Sequence, residues 1–188
     1  MVTLTNDLFI AQGKQRSCYC HPSEKGLCVK VELKDTTSSR KQVQAEINAL
    51  QRIKKRHSDS PGLSHYHGTI ETNLGLGHLF DLVREQDGTV SPTLRACHEQ
   101  LERDHLISLV QSLRAHCLRY HYLPGDLHPA NLVLRDRKEL IIIDGLGMVE
   151  FAPIYHLSSL LRRIKLARKH RRLWRNLGYP EPPMDTRS

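Results

Sequence analysis

The run Gly125-Asp126-Leu127-His128-Pro129-Ala130-Asn131 constrains the fold more than any other stretch of the chain. Its glycine and proline mark it as a loop. Behind it come two short apolar runs, Leu132-Val133-Leu134 and Leu140-Ile141-Ile142-Ile143, separated by the polar residues 135–139. That pattern predicts a β-hairpin. Asp126, Asn131 and Asp144 then sit at the ends of one rigid apolar scaffold, where loop side chains can be presented together.

The rest of the chain supplies other elements around this hairpin. Phe9-Ile10-Ala11 and Cys18-Tyr19-Cys20 flank the polar turn Gly13-Lys14-Gln15-Arg16-Ser17, which predicts two strands. From Leu27 to Leu33, Leu27, Val29, Val31 and Leu33 share one face and Cys28, Lys30 and Glu32 the other. Ser38-Ser39 is the expected N-cap of a helix over about 40–56. Its apolar stripe is Val43, Ile47, Leu50 and Ile53, and Glu46 falls inside the stripe, where a carboxylate needs a partner. Tyr66–Glu71 and Gly77–Arg84, around Asn73-Leu74-Gly75, predict a second hairpin, and breakers follow Val83. A long helix is expected over 97–121. A last amphipathic helix carries Leu157, Leu160, Leu161 and Ile164 on its apolar side, and a loose tail follows over 177–188. The chain has 188 residues, of which 39% are hydrophobic, enough for one compact domain. The expected fold class is α+β, a single domain over 1–188. Its 1–86 part is β-rich with one helix, and its 87–176 part is helical and carries the loops with Asp126 and Asp144.

These residue types suit phosphoryl transfer. That chemistry needs a carboxylate to orient the attacking hydroxyl, oxygen ligands for Mg²⁺, and a cation to brace the phosphates. Asp126 fits the base, and Asn131 and Asp144 fit the metal ligands.

The seven-residue loop resembles the catalytic loop of protein-kinase-like folds, closest to the G-D-L-H-x-x-N form of aminoglycoside and other small-molecule kinases. Ile142-Ile143-Asp144-Gly145 resembles the metal-binding segment that follows it. Lys30 in Cys28-Val29-Lys30-Val31 resembles the phosphate-contacting strand lysine, and Glu46 its helix partner. Phe80-Asp81-Leu82-Val83 resembles the hinge beside the adenine. Gly13 and its polar neighbours stand where such kinases carry a Gly-rich phosphate loop. A narrower resemblance covers nearly the whole chain. Gly13, Arg16, Cys18-Tyr19, His21-Pro22 and Tyr66–Thr72 are similar to the small bacterial YrbL-like family of the PhoP regulatory network.

The resemblance implies a minimal two-lobed protein-kinase-like fold with a truncated helical C-lobe. It implies ATP and Mg²⁺ as ligands and an unspecified hydroxyl acceptor, protein or small molecule. The implied cofactor-binding set is Gly13, Lys30, Glu46, Asp81 and Val83, with Asn131 and Asp144 on the metal and Asp126 catalytic. Three features depart from ordinary kinases. Pro124 replaces the usual His, Gly-Leu-Gly follows Asp144, and 44 residues remain after Asp144. They favour ATP binding over phosphorylation of a protein. They keep two alternatives, a nucleotide-binding pseudokinase or regulatory module, and an adaptor for an anionic surface.

The adaptor alternative rests on charge. The formal net charge is +8, and residues 162–175 alone hold eight Arg or Lys and no acid. Such a stretch is a solvated helix face, a nucleic-acid contact or a lipid-surface contact with Trp174 at the interface. No secretory signal or membrane-spanning run is visible, so a cytoplasmic protein that is not transmembrane is expected, with its five cysteines reduced. His128 is expected to hold the backbone of the loop rather than carry protons.

Overall fold

A computed structural model describes residues 1–33, 37–57, 60–146 and 159–182. It is a mixed α and β structure with an antiparallel sheet in its N-terminal part and helices in its C-terminal part. Strands β1 (Phe9–Gln12), β2 (Arg16–Cys20) and β3 (Leu27–Glu32) precede helix α1 (Thr37–Arg56). Strands β4 (Tyr66–Thr72) and β5 (Gly75–Asp81) follow it, and the sheet order is β1-β2-β3-β5-β4. The central position of β3 explains its composition. Val29 and Val31 pack on one face with Leu4, while Cys28 joins the main core on the other. The expected alternation is present, with apolar or paired side chains on both faces. Val29 also packs over Gly77, where an added Cβ would lie 2.5 Å from Val29 Cγ1.

Val43, Ile47, Leu50 and Ile53 of α1 are all buried, as their spacing predicts, and Glu46 is buried among them. The helix begins at Thr37, ahead of the expected cap, and the side chains of Ser38 and Ser39 lie outside the described residues.

The single helix expected over 97–121 is two helices with a 3-10 turn at His98–Gln100 between them. They are α2 (Leu94–Cys97) and α3 (Arg103–Arg119). The apolar spacing carries the reason. From Leu101 to Leu106 the step is five residues, out of phase with a 3.6 period, and Leu101 and Glu102 are extended. Tyr120 caps α3, and His121 follows it at φ 59°, a left-handed C-terminal stop.

Strands β6 (Leu132–Arg135) and β7 (Glu139–Ile142) form the expected hairpin. Its turn places Asp136 and Arg137 at φ 49° and 53°. Asp136 Oδ1 accepts from Gln86 N–H at 2.9 Å, and Asp136 N–H donates to Glu85 at 2.8 Å, tying the turn to the segment after β5. Segment 62–64 lies along β7, with Ile142 N–H donating to Gly62 O and Ser64 N–H to Ile142 O, both at 2.9 Å. One hydrophobic core runs from Cys28, Leu50 and Phe80 through Leu106, Leu113 and Leu132 to Leu173.

The last helix, α4 (Ser159–Asn176), packs by a different face than expected. Leu160 and Ile164 are exposed, while Leu166, His170, Leu173 and Trp174 are buried. Leu157 lies outside the described residues. A tryptophan in the core is not free to rest on a membrane, so the lipid-interface reading of Trp174 is corrected. The tail expected over 177–188 is also corrected in part. Leu177 is buried, and Tyr179 lies under the Arg103 guanidinium; residues 183–188 lie outside the described residues. No helix among the described residues is long and apolar enough to cross a membrane.

His170 makes the packing of α4 sensitive to acid. Burial, with Arg114 adding to it, pushes its imidazole down to about 3, and its Nε2 has no hydrogen-bond partner among the described residues. Folding therefore keeps it neutral while the unfolded chain protonates near 6.5. The stability it contributes is complete above pH 6.5 and is lost as pH falls toward 3, by roughly 5 kcal/mol over the whole window. Thermal melts between pH 7.5 and 4.5 will show a falling Tm for the native chain, and His170→Leu will flatten that fall. Equal slopes would count against it.

Candidate active site

Three segments meet at Asp144. The first is the loop Gly125–Asn131, which the Gly145 carbonyl holds by accepting from Gly125 N–H at 2.7 Å and Asp126 N–H at 3.1 Å. Gly145 is required there. Its φ is +86°, and an added Cβ would lie 2.6 Å from Asp126 O. Inside the loop, Ala130 N–H donates to His128 Nδ1 at 3.2 Å, the backbone role expected of His128. Asn131 Nδ2 donates to Asp126 O at 3.1 Å. Asp126 itself is exposed at the mouth of the cleft.

The second segment is β3. Lys30 is buried, its Nζ 4.4 Å from the centre of the Phe80 ring. It donates to Ile143 O at 2.7 Å and lies 3.8 Å from Asp144 Oδ2. The expected ion pair with Glu46 is not made.

The third segment is β2, and it supplies the residue that takes Lys30's expected place. Arg16 Nη2 donates to Glu46 Oε2 at 2.7 Å and to both Asp144 oxygens at 2.9 and 3.0 Å. Arg16 Nη1 is buried with no partner among the described residues. In the sequence Arg16 falls within a polar turn over 13–17, which points to no charge role for it. The available signal was register. Cys18 faces Lys30 across β2–β3, which puts Arg16, two residues earlier, on the same face as Lys30.

Two carboxylates respond oppositely to this crowding. Burial pushes Glu46 up, Asp144 adds to it, and Arg16 and Lys30 offset only part, leaving it at about 7. Burial opposes ionisation of Asp144 too. There Lys30 and Arg16, with hydrogen bonds from Glu46 and the Gly145 N–H, outweigh it and hold the carboxyl well below the usual range. Asp144 is thus a fixed anion with its side chain 40% exposed to the cleft.

Gly13, Lys30, Asp126, Asn131 and Asp144 line one cavity of about 540 Å³, and Asp81 and Val83 also line it. That volume suits a small organic ligand. Glu46 stands behind it, lining a neighbouring cavity. Gly13 closes the β1–β2 turn by donating to Arg16 O at 2.8 Å. Asp81 turns its carboxylate elsewhere. Burial opposes its ionisation, but His65 and His67, at 2.9 and 2.5 Å, hold it at about 2. Val83 is buried, and its carbonyl accepts from Ser91 N–H at 3.0 Å. From the C-terminal side, Lys169 of α4 donates to Gly125 O, and Arg172 lines the neighbouring cavity. The basic run alone does not distinguish these two, because only the helix's packing face shows which of its cations turn toward the loop.

The fold and this cleft define a mixed α and β protein with a charged cavity, walled by β1–β3 and the β6–β7 hairpin. The chain belongs to the family of PhoP regulatory network protein YrbL, whose profile matches residues 2–178. The chain is 26% identical over 183 residues to the uncharacterized protein YrbL of Escherichia coli strain K12, covering 93% of this chain and 85% of that one. The uncharacterized protein YrbL of Shigella flexneri matches to the same extent.

Arg16 and Glu46 form a buried pair, so removing one partner strands the other. Arg16→Met will lower stability by roughly 2–4 kcal/mol at pH 8, where Glu46 is ionised, and the double variant with Glu46→Gln will recover most of it. Urea unfolding of the four proteins measures the coupling; additive losses would show that the two side chains do not act as a pair. Gly145→Ala will cost at least about 2 kcal/mol by left-handed strain and contact with the Asp126 backbone.

Proposed function

We propose that the protein is a compact, two-lobed protein-kinase-like phosphotransferase that uses ATP and Mg²⁺ and transfers the γ-phosphoryl group to a hydroxyl. One observation carries the reading. Lys30, Asp126, Asn131 and Asp144, from segments as far apart as β3 and the residues after β7, converge on one cavity large enough for a nucleotide.

In this reading β1–β5 and α1 form the upper lobe, and the hairpin β6–β7 with α2–α4 forms the lower. The β1–β2 turn with Gly13 covers the phosphates. Val83 borders the adenine. Lys30, braced on Asp144 and the Ile143 carbonyl, points at the phosphates, and Arg16, which also lines the cavity, adds positive charge beside them. The donor set suits Mg²⁺, since Asp144 is ionised and Asn131 keeps its side-chain oxygen while its amide donates to Asp126 O. When bound there, Mg²⁺ would neutralise phosphate charge. Asp126, exposed and held by the Gly145 carbonyl, accepts the acceptor's proton.

A second reading has its own observation. Arg16 engages both Asp144 oxygens, and a site that kept this contact would bind nucleotide without turnover. Calorimetry with Mg²⁺-ATP and release of labelled phosphate separate the two readings. Under the first, Asp126→Ala keeps nucleotide binding and lowers turnover by about 10²–10⁴-fold, and Asp144→Ala weakens Mg²⁺-dependent binding as well. Binding that needs Asp144 but gives no turnover in the native chain selects the second reading. Absence of nucleotide binding overturns both.

A further inference from the structure

Beside the nucleotide cavity lies a second one of about 320 Å³, between α1, the Gly125–Asp126 loop and α4. The two meet at Arg16, Asp126 and Asp144, which line both. Glu46 and Arg172 belong to the second cavity alone. A carboxylate shared by two adjoining cavities has a place for a donor on one side and an acceptor on the other.

On the acceptor side Arg172 lines the cavity, and Lys169 stands at the carbonyl of Gly125, which also lines it. On α4, Lys165, Lys169 and Arg172 follow at steps of four and three, so they lie along one helix face. Lys169 is half-buried, donates to Gly125 O and interacts electrostatically with Asp126 and Arg172. Arg171, one residue away, is spent on Glu181 at 2.9 Å, whereas Arg172 is exposed at the cavity wall. A neutral acceptor gains little from such a wall. An anion gains directly, because Arg172 and the adjacent Lys169 offset the repulsion of Asp126, Asp144 and Glu46 around the cavity.

We infer that the second cavity takes a small hydroxyl compound that already carries a phosphate or carboxylate group, with Arg172 holding the anion and the hydroxyl at Asp126. The inference rests on the phosphotransferase reading for its reaction. The acceptor oxygen forms a bond to the γ-phosphorus and the bond from that phosphorus to the β–γ bridging oxygen breaks. ADP leaves with the electron pair, and the hydroxyl proton passes to Asp126 and then to water.

The test is calorimetric titration of glucose 6-phosphate, glucuronate and glucose into the full chain saturated with a non-hydrolysable ATP analogue and Mg²⁺. Both anions are expected to bind at least about tenfold more tightly than glucose. Arg172→Gln should bring the three to near parity. Arg175→Gln removes the same charge from an exposed position of α4 outside the cavity and should keep the preference. Glucose 6-phosphate alone binding would assign a phosphate site, and glucuronate alone a carboxylate site. Binding of neither anion, equal binding of glucose, no loss in Arg172→Gln, or equal loss in Arg175→Gln would each overturn the inference and leave α4 as a solvated face. If the analogue does not bind, the nucleotide reading fails by itself, and the same titrations without it still decide the anion site.

Discussion

The Arg16 guanidinium is the contact around which the cleft is arranged. One of its nitrogens joins helix α1, through the buried Glu46, to the segment after β7, through Asp144. With Lys30 it makes four charges in one half-buried group, two of each sign. Removing such charges from water is costly, and only close pairing offsets the cost. The positions of β2, α1 and the Asp144 segment are therefore interdependent. Glu46 reports the balance. It has one close cation, an adjacent carboxylate and little solvent, and its carboxyl rises, while Asp144, near two cations, stays ionised.

A second constraint is backbone rather than charge. The carbonyl of Gly145 accepts from two successive N–H groups of the loop that carries Asp126. The donor–acceptor geometry leaves no space for a side chain at that point. The Gly145 carbonyl thus ties the backbone of the Asp126 loop to the segment that carries Asp144, and Arg16, Lys30 and segment 62–64 hold that segment and β7 against the rest of the chain.

Much of this was legible in the sequence where local pattern decides. The β6–β7 hairpin, the buried stripe of α1 with its anomalous Glu46, and the β4–β5 hairpin all follow from period and turn residues. The loop residues Asp126, Asn131 and Asp144 converge because a hairpin's ends are close by construction. What failed depends on tertiary context. Lys30 and Glu46 each need an opposite charge, but pattern alone does not say which. Arg16 was hidden because its strand opens inside a run of polar residues. The face of α4 misled because Leu160 and Ile164 are apolar yet exposed, while His170 is polar yet buried. The break at Leu101 lies in a five-residue step that a longer helical window averages away.

The shared core has a consequence for how the molecule responds to its surroundings. Segment 62–64 is hydrogen-bonded into the hairpin, and the same apolar cluster lies behind Phe80 of the sheet, β7 and Leu173 of α4. The walls of the cleft are therefore not independent folding units hinged on a linker. They melt together, and anything that occupies the cleft stabilises the whole chain through mass action. A compound that entered the cleft would therefore raise the unfolding midpoint of the whole chain rather than that of one wall alone.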